Sequence, residues 1–408
     1  MVPKGWMLKQ LSDIVKEKIS YGIVQAGPHI PNGIPYIKSS DIRGAIDPAS
    51  LQRTAPEIHY KYRRSAVHPG DIIFSLRGNI GETAIVPSNL LEANLTQGTA
   101  RISVSGDQCN EFYHQQFAMD KLRNYINSLS KGSTFKEISL EELRKVKVLC
   151  APLPEQKKIA QILSTWDKAI TVTEKLLVNS QQQKKALMQQ LLTGKKRLLD
   201  ENGERFSGEW KRVKLGAIAD MNSGGTPKST VEEYYGGNIP WVSISDMTSN
   251  GKWIATTEKY LTELGLNSSS ARIYPKNSVL YAMYASIGEC SIAAVNLTSS
   301  QAILGIRPKD CLNYEFLYFY LTSLKEKIKL QGQQGTQSNL NAGMVKEFEL
   351  DLPSIREQQK IAAVLSVADA EISTLEKKLA CLRDEKKALM QQLLTGKRRV
   401  KVDEAVAV

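Results

Sequence analysis

The 408-residue sequence has little histidine, little cysteine and no long apolar run. Its four histidines show no metal-ligand spacing, and its five cysteines are odd in number and form no CxxC pair. Structural zinc and a disulfide framework are therefore disfavoured, and reduced thiols in a cytoplasm explain this usage best. No apolar run reaches the ~18 residues that cross a bilayer, and residues 1–10 lack the regions of a secretory signal. We expect a cytoplasmic protein without a membrane segment or a bound metal.

Signatures of catalysis are also missing. The sequence contains no GxxxxGK(S/T) phosphate loop, no strand-bound GxGxxG and no (D/N/S)PP(Y/F) pattern of the kind that positions a target amine in adenine methyltransferases. Glu385-Lys386-Lys387 supplies an ExK of the nuclease type, but it falls on a helix face, where solvated charge is the better explanation. We therefore predict a chain that is not an enzyme and binds no cofactor. A self-contained DNA-modifying enzyme with an unfamiliar site remains an alternative.

The composition is that of a soluble globular protein with two or more domains: 42% of residues are hydrophobic and 24% are charged. The formal net charge is +12, which suggests a polyanionic partner. This excess is uneven, since residues 1–153 carry +5 whereas residues 206–353 carry 0. A protein-only coiled-coil adaptor is a further alternative, although the basic balance disfavours it.

An internal repeat organises the chain. The twelve residues KKALMQQLLTGK occur at 184–195 and again at 386–397, an offset of 202. Weaker echoes extend the repeat through each half, including Trp6 with Trp210 and Ile80-Gly81-Glu82 with Ile287-Gly288-Glu289. The small drift in offset indicates two diverged copies of one fold.

Each copy is predicted to be a domain of short strands followed by a long helix. Turn-bounded β-rich runs occur at Ile34–Ile37 and Asp71–Leu76, for example, with counterparts at Ile239–Ile244 and Ser278–Tyr284. One amphipathic helix is expected inside each domain, near Glu111–Leu129 and near Tyr314–Leu330.

The long helices carry clear start and stop signals. Ser354 and Glu357 fit a capping box, with the serine accepting from the third amide and the glutamate reaching back to the cap. Gly194 and Gly396, each followed by cations, suit the left-handed residue after a helix end. About 40 residues lie between these signals, or ~60 Å.

A seven-residue apolar repeat runs along both helices, and it predicts a left-handed coiled-coil seam. Antiparallel pairing of the two helices would place the domains at opposite ends, related by a pseudo-twofold axis. The simpler alternative is two helices that each lie on their own domain. The seam residues are Ile159, Leu163, Trp166, Ile170, Leu177, Leu187, Leu191, Ile361, Leu365, Ile372, Leu375, Leu379, Leu382, Leu389 and Leu393.

The expected fold is α+β: two similar α/β domains separated by two long helices that form an antiparallel coiled coil. The predicted segments are a first domain at 1–152, a first long helix at 153–194, a linker at 195–208, a second domain at 209–353, a second long helix at 354–396 and a tail at 397–408.

Polar loops in the domains are candidate DNA-binding residues, because asparagine and glutamine can pair with adenine, arginine and lysine with guanine, and serine and threonine with several bases. Solvated loops and surface ion pairs explain the same residue types, and Arg77 is as well explained by a salt bridge. The first-domain candidates are Ser39, Ser40, Arg43, Arg77, Asn79, Lys131, Ser133, Thr134 and Lys136. The second-domain candidates are Ser243, Ser245, Tyr284, Ser286, Gln333, Gln334, Gln337 and Asn339.

The two-copy arrangement and two helix motifs closely resemble the specificity subunit of bacterial type I restriction–modification systems. The motifs are LPEQKKIAQIL at Leu153–Leu163 and ALMQQLLTGKKR at Ala186–Arg197. The resemblance covers essentially the whole chain, and it implies that residues 1–152 and 209–353 are target-recognition domains that each read half of a bipartite site in double-stranded DNA.

The resemblance also implies partners. In this family the helical repeats set the spacing between half-sites and dock two methyltransferase subunits, and motor–nuclease restriction subunits join the complex. S-adenosylmethionine and ATP are expected on those partner subunits. We expect this chain to supply recognition alone.

Overall fold

The computed structural model describes residues 2–132, 136–333 and 340–402, with residues 329–333 as backbone only. The chain divides into two compact units. The first comprises Met1–Glu174 with Lys377–Val408, and the second comprises Lys175–Glu376. Each unit contains one domain and a part of each long helix.

The first domain is built from short strands with small helices between them. Its strands are β1 (Met7–Gln10), β2 (Ser20–Tyr21), β3 (Ile34–Ile37), β4 (Arg53–Thr54), β5 (Ile72–Ser75), β6 (Thr83–Ile85), β7 (Asn94–Leu95), β8 (Thr99–Ile102) and β9 (Lys147–Cys150). Its helices are α1 (Pro56–Lys61), α2 (Asn110–Phe117), α3 (Asp120–Ser128) and α4 (Leu140–Lys145), with 3-10 turns at Leu11–Asp13 and Arg63–Ser65. The first long helix, α5 (Leu153–Leu191), follows it directly.

Two main sheets form this domain. The order in the larger, antiparallel sheet is β2-β8-β5-β6, and the smaller sheet has the order β4-β3-β7, in which β3 and β7 run parallel. Every residue of β5 is buried, as expected for an apolar central strand that is covered on both faces. Phe74 on β5 packs edge-to-face on Phe117 of α2, with ring centroids 5.5 Å apart.

The second domain repeats the strands of the first in the same order and adds a helix and a strand after its third strand. Its strands are β10 (Lys211–Lys214), β11 (Ala219–Ser223), β12 (Tyr235–Val242), β13 (Trp253–Ile254), β14 (Lys259–Leu261), β15 (Val279–Ala282), β16 (Cys290–Ala293), β17 (Thr298–Ser299), β18 (Ile303–Pro308) and β19 (Glu349–Leu352). Its helices are α6 (Leu215–Ile218), α7 (Ile244–Asn250), α8 (Glu263–Asn267), α9 (Tyr314–Gln333) and α10 (Ala342–Lys346), with a 3-10 turn at Glu232–Tyr234.

Strand pairing shows that the two domains are copies of one fold. The larger sheet of the second domain has the order β11-β18-β15-β16-β13, and the smaller has β14-β12-β17. In each smaller sheet the central strand runs parallel to one of its neighbours. β3 pairs with β7, with Tyr36 opposite Asn94, and β12 pairs with β17, with Trp241 opposite Thr298. The prediction of a mixed α and β fold with two repeated domains is confirmed.

The second long helix is α11 (Ile355–Leu393), and both long helices have 39 residues. Each is followed by a left-handed glycine, Gly194 with φ 68° and Gly396 with φ 67°, as the sequence predicts. A side chain at Gly396 would clash with Pro3, because an added Cβ would lie 2.4 Å from that ring. Glycine is therefore required there by both backbone conformation and packing.

Within each unit the parts of α5 and α11 run antiparallel. In the first unit Asp167 pairs with Lys386 at 2.6 Å, and the later Glu174 pairs with the earlier Arg383 at 2.7 Å. In the second unit the Ser180 hydroxyl donates to Glu371 at 3.1 Å, and the later Lys184 pairs with the earlier Asp369. The predicted antiparallel pairing is confirmed inside both units.

The helix ends are also part of the domain cores. Ile159 and Leu163 share the first domain's apolar cluster with Leu393. In the second domain, Leu191 shares the corresponding cluster with Ile361. The helices pair with each other, so the alternative of two separate helices on their own domains is wrong, and their ends also pack on the domains.

The prediction of a single helix near Glu111–Leu129 is wrong. The chain instead forms α2 and α3, separated by Met119, which has an extended backbone at φ −70°, ψ 131°. Asp120 then starts α3 in a favourable position for an acid, the first turn of a helix. The counterpart, α9, is one continuous helix.

The capping box predicted at Ser354 forms only in part. The Ser354 hydroxyl accepts from the Glu357 amide at 3.4 Å. The Glu357 carboxylate, however, accepts charge-assisted bonds from Arg197 at 2.6 and 2.8 Å. Such bonds are stronger than a bond to a neutral amide, which explains why the side chain turns away from the cap.

Candidate nucleic-acid interface

Ser39, Ser40 and Arg43 lie in the turn after β3, as the sequence places them. Asp41 organises this turn, because its carboxylate accepts from the Lys38 amide at 2.9 Å and from the Ser40 hydroxyl at 3.0 Å. Arg43 is exposed and has no ion-pair partner among the described residues. The turn thus presents one arginine on a preformed polar edge.

The structure brings two distant candidate segments together. The turn with Arg77 and Asn79 meets the strand-like segment around Glu137, since Arg77 Nε lies 2.9 Å from the Glu137 carboxylate. Lys131 exchanges backbone hydrogen bonds with Glu137 at 2.9 and 3.0 Å. Arg77, Asn79, Lys131 and Lys136 are therefore one exposed group. Ser133 and Thr134 lie outside the described residues.

In the second domain Ser243 has a structural role. Its hydroxyl accepts from the Asp246 amide at 3.3 Å at the start of α7, and it contacts the Ser245 hydroxyl at 2.8 Å. The Asp246 carboxylate in turn accepts a hydrogen bond from the Ser243 amide at 2.8 Å, which completes a capping box. Ser245 is exposed beside this box, and it is the residue of the pair that remains available to a ligand.

Tyr284 and Ser286 lie on an exposed turn after β15. Ala285 between them has φ 48°, a left-handed conformation that is uncommon for a residue with a side chain. The Leu340 amide donates to the Met283 carbonyl at 3.1 Å, as the Ile138 amide does to Leu76 in the first domain. The second-domain turn therefore lies beside Leu340.

The remaining candidates precede Leu340 in the sequence. Gln333 is the last residue of α9, and its side chain is not described. Gln334, Gln337 and Asn339 lie outside the described residues. Their proposed role stays a prediction.

A three-residue cluster, here called the latch, recurs in both units. In the first, Glu155 accepts from Trp6 Nε1 at 3.0 Å and from Arg399 at 2.7 Å through each of two nitrogens. Since Glu155 is at the start of α5 and Arg399 follows α11, the latch joins both helices to the beginning of the domain.

The second latch uses Trp210, Glu357 and Arg197 in the same way. Trp210 Nε1 donates to Glu357 at 3.1 Å, and the Arg197 guanidinium lies 5.5 Å from the Trp210 ring centroid. The two tryptophans are visible in the sequence as an echo, but the cluster was not predicted. Identity of tryptophan, glutamate and arginine in both copies is the signal that would have found it.

The predicted seam residues are all buried or half-buried. Ile159, Leu163, Leu191, Ile361, Leu365, Leu379 and Leu393 are buried. Trp166, Ile170, Leu177, Leu187, Ile372, Leu375, Leu382 and Leu389 are half-buried. Trp166 also makes a polar contact across the pair, from Nε1 to Glu385 at 3.3 Å.

The ExK segment is part of this helix pairing. Lys386 pairs with Asp167 at 2.6 Å, and Lys387 pairs with Asp120 at 2.9 Å. Both lysines are thus engaged by carboxylates of the first unit. Among residues 2–132, 136–333 and 340–402, no group of three or more metal-ligating side chains is present.

Buried titratable groups shape the contact between the second domain and α11. Lys252 Nζ donates to the Ser366 hydroxyl at 2.8 Å and lies 4.6 Å from the centroid of Phe319 and 3.8 Å from the carboxylate of Glu315. Burial lowers the pKa of this lysine, and Glu315 opposes the shift. The amine serves as a packed structural cation.

Three half-buried or buried thiols are poorly suited to nucleophilic chemistry. Burial raises the pKa of Cys109 to about 11, and burial also raises the pKa values of Cys150 and Cys290. A nucleophilic cysteine needs the opposite shift, toward the thiolate at neutral pH.

Among the described residues, no helix is both long enough and apolar enough to cross a bilayer.

Comparisons with known proteins place this architecture in a family. The family model for the type I restriction modification DNA specificity domain matches twice, at residues 3–179 and 207–382. Each match contains one of the two domains described above and the beginning of the long helix that follows it.

Individual proteins give the same result. The type I restriction enzyme MjaIX specificity subunit of Methanocaldococcus jannaschii is 36% identical over 172 residues, which is 41% of this chain and 40% of that protein. The MjaVIII specificity subunit of the same organism is 25% identical over 98% of this chain and 94% of its own. The crystal structure of the S subunit from M. genitalium aligns with a TM-score of 0.64 at 15% identity, covering 96% of this chain and 99% of that one.

Proposed function

The chain belongs to the family of type I restriction modification DNA specificity proteins, and from this premise we propose that it recognises a bipartite site in double-stranded DNA for a restriction–modification complex. The single observation that carries the proposal is the double match of the family model, at 3–179 and 207–382. Because each match contains one complete domain, each domain is assigned one half-site.

Base reading is assigned to the exposed turns at the end of β5 and β15. Arg77 and Asn79 in the first domain, and Tyr284 and Ser286 in the second, occupy equivalent turns. Arginine pairs with guanine and asparagine with adenine in the major groove. The neighbouring Lys131 and Lys136 supply charge beside the first turn.

The long helices are assigned the role of a spacer. At 1.5 Å per residue, 39 residues extend ~58 Å, whereas half-sites on one side of a duplex are separated by ~34–36 Å per helical turn. Helix length is therefore sufficient to set this separation. The heptad pattern makes the length a property of the sequence.

The partners are assigned from the family. We assign methylation to two methyltransferase subunits with S-adenosylmethionine, and cleavage to motor–nuclease subunits that use ATP. This chain itself contributes no catalytic step and holds no cofactor.

A groove in the first unit supports docking of a methyltransferase subunit. It has a volume of about 1290 Å³, and Met119 and Met390 contribute to its apolar floor. Lys121 and Lys397 are exposed cations of this groove, and Lys387 is paired there with Asp120. A floor of this kind with a basic rim fits an acidic amphipathic helix of a protein partner.

The test is to express the chain with its modification subunits in a host without adenine methylation and to sequence the modified positions. The expected result is one bipartite motif with a fixed spacer and one methylated adenine in each half. Methylation by the chain alone would establish the enzyme alternative, and a complex that neither binds nor modifies DNA would leave the adaptor.

A further inference from the structure

A basic and aromatic cluster on the first domain lies outside every candidate named from the sequence. It consists of Tyr60, Lys61, Arg63 and Arg64, at the end of α1 and in the following 3-10 turn, and is here called the basic shoulder. All four residues are exposed, Tyr60 with 67% of its surface accessible. Its cations have no ion-pair partner in the part of the chain that the structure describes.

Three other arginines of this domain form ion pairs or hydrogen bonds within it. Arg77 is paired with Glu137, and Arg101 is paired with Glu17. Arg53 donates to the Gly33 carbonyl at 3.0 Å. A paired guanidinium has already lost much of its attraction for an added anion, whereas the basic shoulder places three unpaired cations within four residues of the chain.

A cleft next to the basic shoulder is also lined by cationic side chains. It has a volume of about 330 Å³ and is lined by Lys18, Arg64 and Arg144, and also by Glu17, whose carboxylate is paired with Arg101. The Nε atom of Arg144 is buried and has no hydrogen-bond partner among the described residues. An unpaired guanidinium nitrogen beside two further cations favours an anionic ligand.

The second domain has the same backbone position without the charge. In the two domains Val67 pairs with Ala93 and Tyr274 pairs with Leu297 as equivalent isolated bridges. Counting back from Val67 and from Tyr274 gives the equivalent positions. Lys61 corresponds to Ser268, Arg63 to Ser270 and Arg64 to Ala271. Residues 56–65 carry a formal charge of +2, whereas residues 263–272 carry 0.

We propose that the basic shoulder holds the phosphate backbone of DNA next to the half-site of the first domain, and that the second domain lacks this contact. The inference rests on the proposed function. Phosphate contacts release counterions and give sequence-independent affinity that falls with salt. The first domain therefore supplies most of the electrostatic affinity of the chain, and the second contributes recognition with weak salt dependence.

The test measures salt dependence with DNA of random sequence, so the target site is not needed. The full chain in complex with its modification subunits is titrated with a random 40-bp duplex between 50 and 200 mM salt. The variant Lys61→Ser, Arg63→Ser, Arg64→Ala copies the residues of the second domain. The slope of log K against log salt should fall in magnitude by about 2 to 3, since each lost phosphate contact removes ~0.9.

A matched control removes the same charge elsewhere. Lys157→Gln, Lys168→Gln and Lys185→Gln change three exposed lysines of α5 and should leave the slope unchanged. An equal fall in this control would show that net charge alone is responsible and would overturn the proposal. The same holds if the basic-shoulder variant, with a normal melting curve, keeps the wild-type slope.

The reciprocal variant guards against misfolding of the first. Ser268→Lys with Ser270→Arg places cations on exposed positions of the second domain and should raise the slope by up to ~2. No rise would contradict the equivalence of the two positions and with it the proposal. A wild-type complex that binds no DNA at any salt concentration would instead contradict the proposed function itself.

Discussion

Glu155 and Arg399 are 244 residues apart in the sequence, yet two guanidinium nitrogens of Arg399 each lie 2.7 Å from a carboxylate oxygen of Glu155. The equivalent pair, Glu357 and Arg197, is separated by 160 residues and has distances of 2.6 and 2.8 Å. The same bidentate geometry therefore holds the start of one long helix against the end of the other in both units.

Removal of a latch arginine should destabilise the unit that contains it. Arg197→Ala leaves the Glu357 carboxylate, only 2% exposed, with Trp210 as its remaining donor. A buried carboxylate without its cation costs about 3 kcal/mol of unfolding free energy. Arg399→Ala should cost less, because that guanidinium is 46% exposed and solvent already screens it. Urea unfolding of the full chain measures both.

Lys214→Ala is the matched control for the latch. It breaks an ion pair with Glu347 in which both side chains are more than half exposed, so the free energy of unfolding should change little. If Arg197→Ala has no larger effect than this control, the latch is not a stabilising contact.

His114 should make stability depend on pH. Burial lowers the pKa of His114 below its usual value, and Lys386 adds to the shift, while Asp167 and Glu111 oppose it. In the unfolded chain this histidine takes up a proton near pH ~6.5, whereas the folded chain does not until lower pH. Stability is therefore complete above the unfolded pKa and is lost as pH falls through the interval down to the folded pKa.

The measurement for His114 is the free energy of unfolding at pH 7.5 and pH 5.5. In His114→Gln, which retains a polar partner for the Thr83 hydroxyl, now 2.9 Å from the ring, the loss between the two pH values should be smaller than in wild type. An identical loss in both proteins would assign the pH dependence to other groups.

The two readers should act independently. Arg77→Ala should weaken discrimination at one half-site by about 1–3 kcal/mol, and Tyr284→Ala should affect only the other half-site. Methylation of target variants, each altered in one half, reports the two effects separately. Loss of discrimination in both halves from either substitution, in a protein with a normal melting curve, contradicts the two-reader assignment.

Glu137→Gln provides the companion variant for Arg77. It removes the ion pair at 2.9 Å but keeps the arginine, so DNA affinity should stay the same or increase. A loss as large as that of Arg77→Ala would mean that Arg77 acts by supporting the loop and not by contacting DNA.

Longer helices should lengthen the spacer of the DNA site. Seven residues added after Leu177 in α5 and after Leu375 in α11 keep the heptad register and extend each helix by ~10 Å. The methylated motif should gain about three base pairs of spacer, at ~3.4 Å each. An unchanged spacer in an active complex would separate helix length from half-site spacing.

The helical half of the fold follows closely from sequence because its signals are local. Heptad spacing and the glycines at 194 and 396 place the helix ends within a few residues. The repeat itself predicts two similar domains. Antiparallel pairing follows from two matched helices in one chain, and it is observed inside each unit.

Contacts between distant residues were beyond such reasoning. The spacing of Ser354 and Glu357 predicts a capping role for Glu357, but a half-buried arginine 160 residues away binds its carboxylate. The break at Met119 carries no proline or glycine to announce it. The basic shoulder lacks any motif, and its charge is distinctive only relative to the structurally equivalent positions of the second domain.

The twelve identical residues have a consequence for how such a chain can evolve. Leu191 and Leu192 pack in the core of the second domain, and Leu393 and Leu394, their copies, pack in the core of the first. The same peptide therefore fits two domains whose other residues have diverged. Genetic crossover within this repeat would exchange a whole recognition domain and keep the helix residues on which the incoming domain packs. Specificity can therefore change in one recombination event while the helices stay the same.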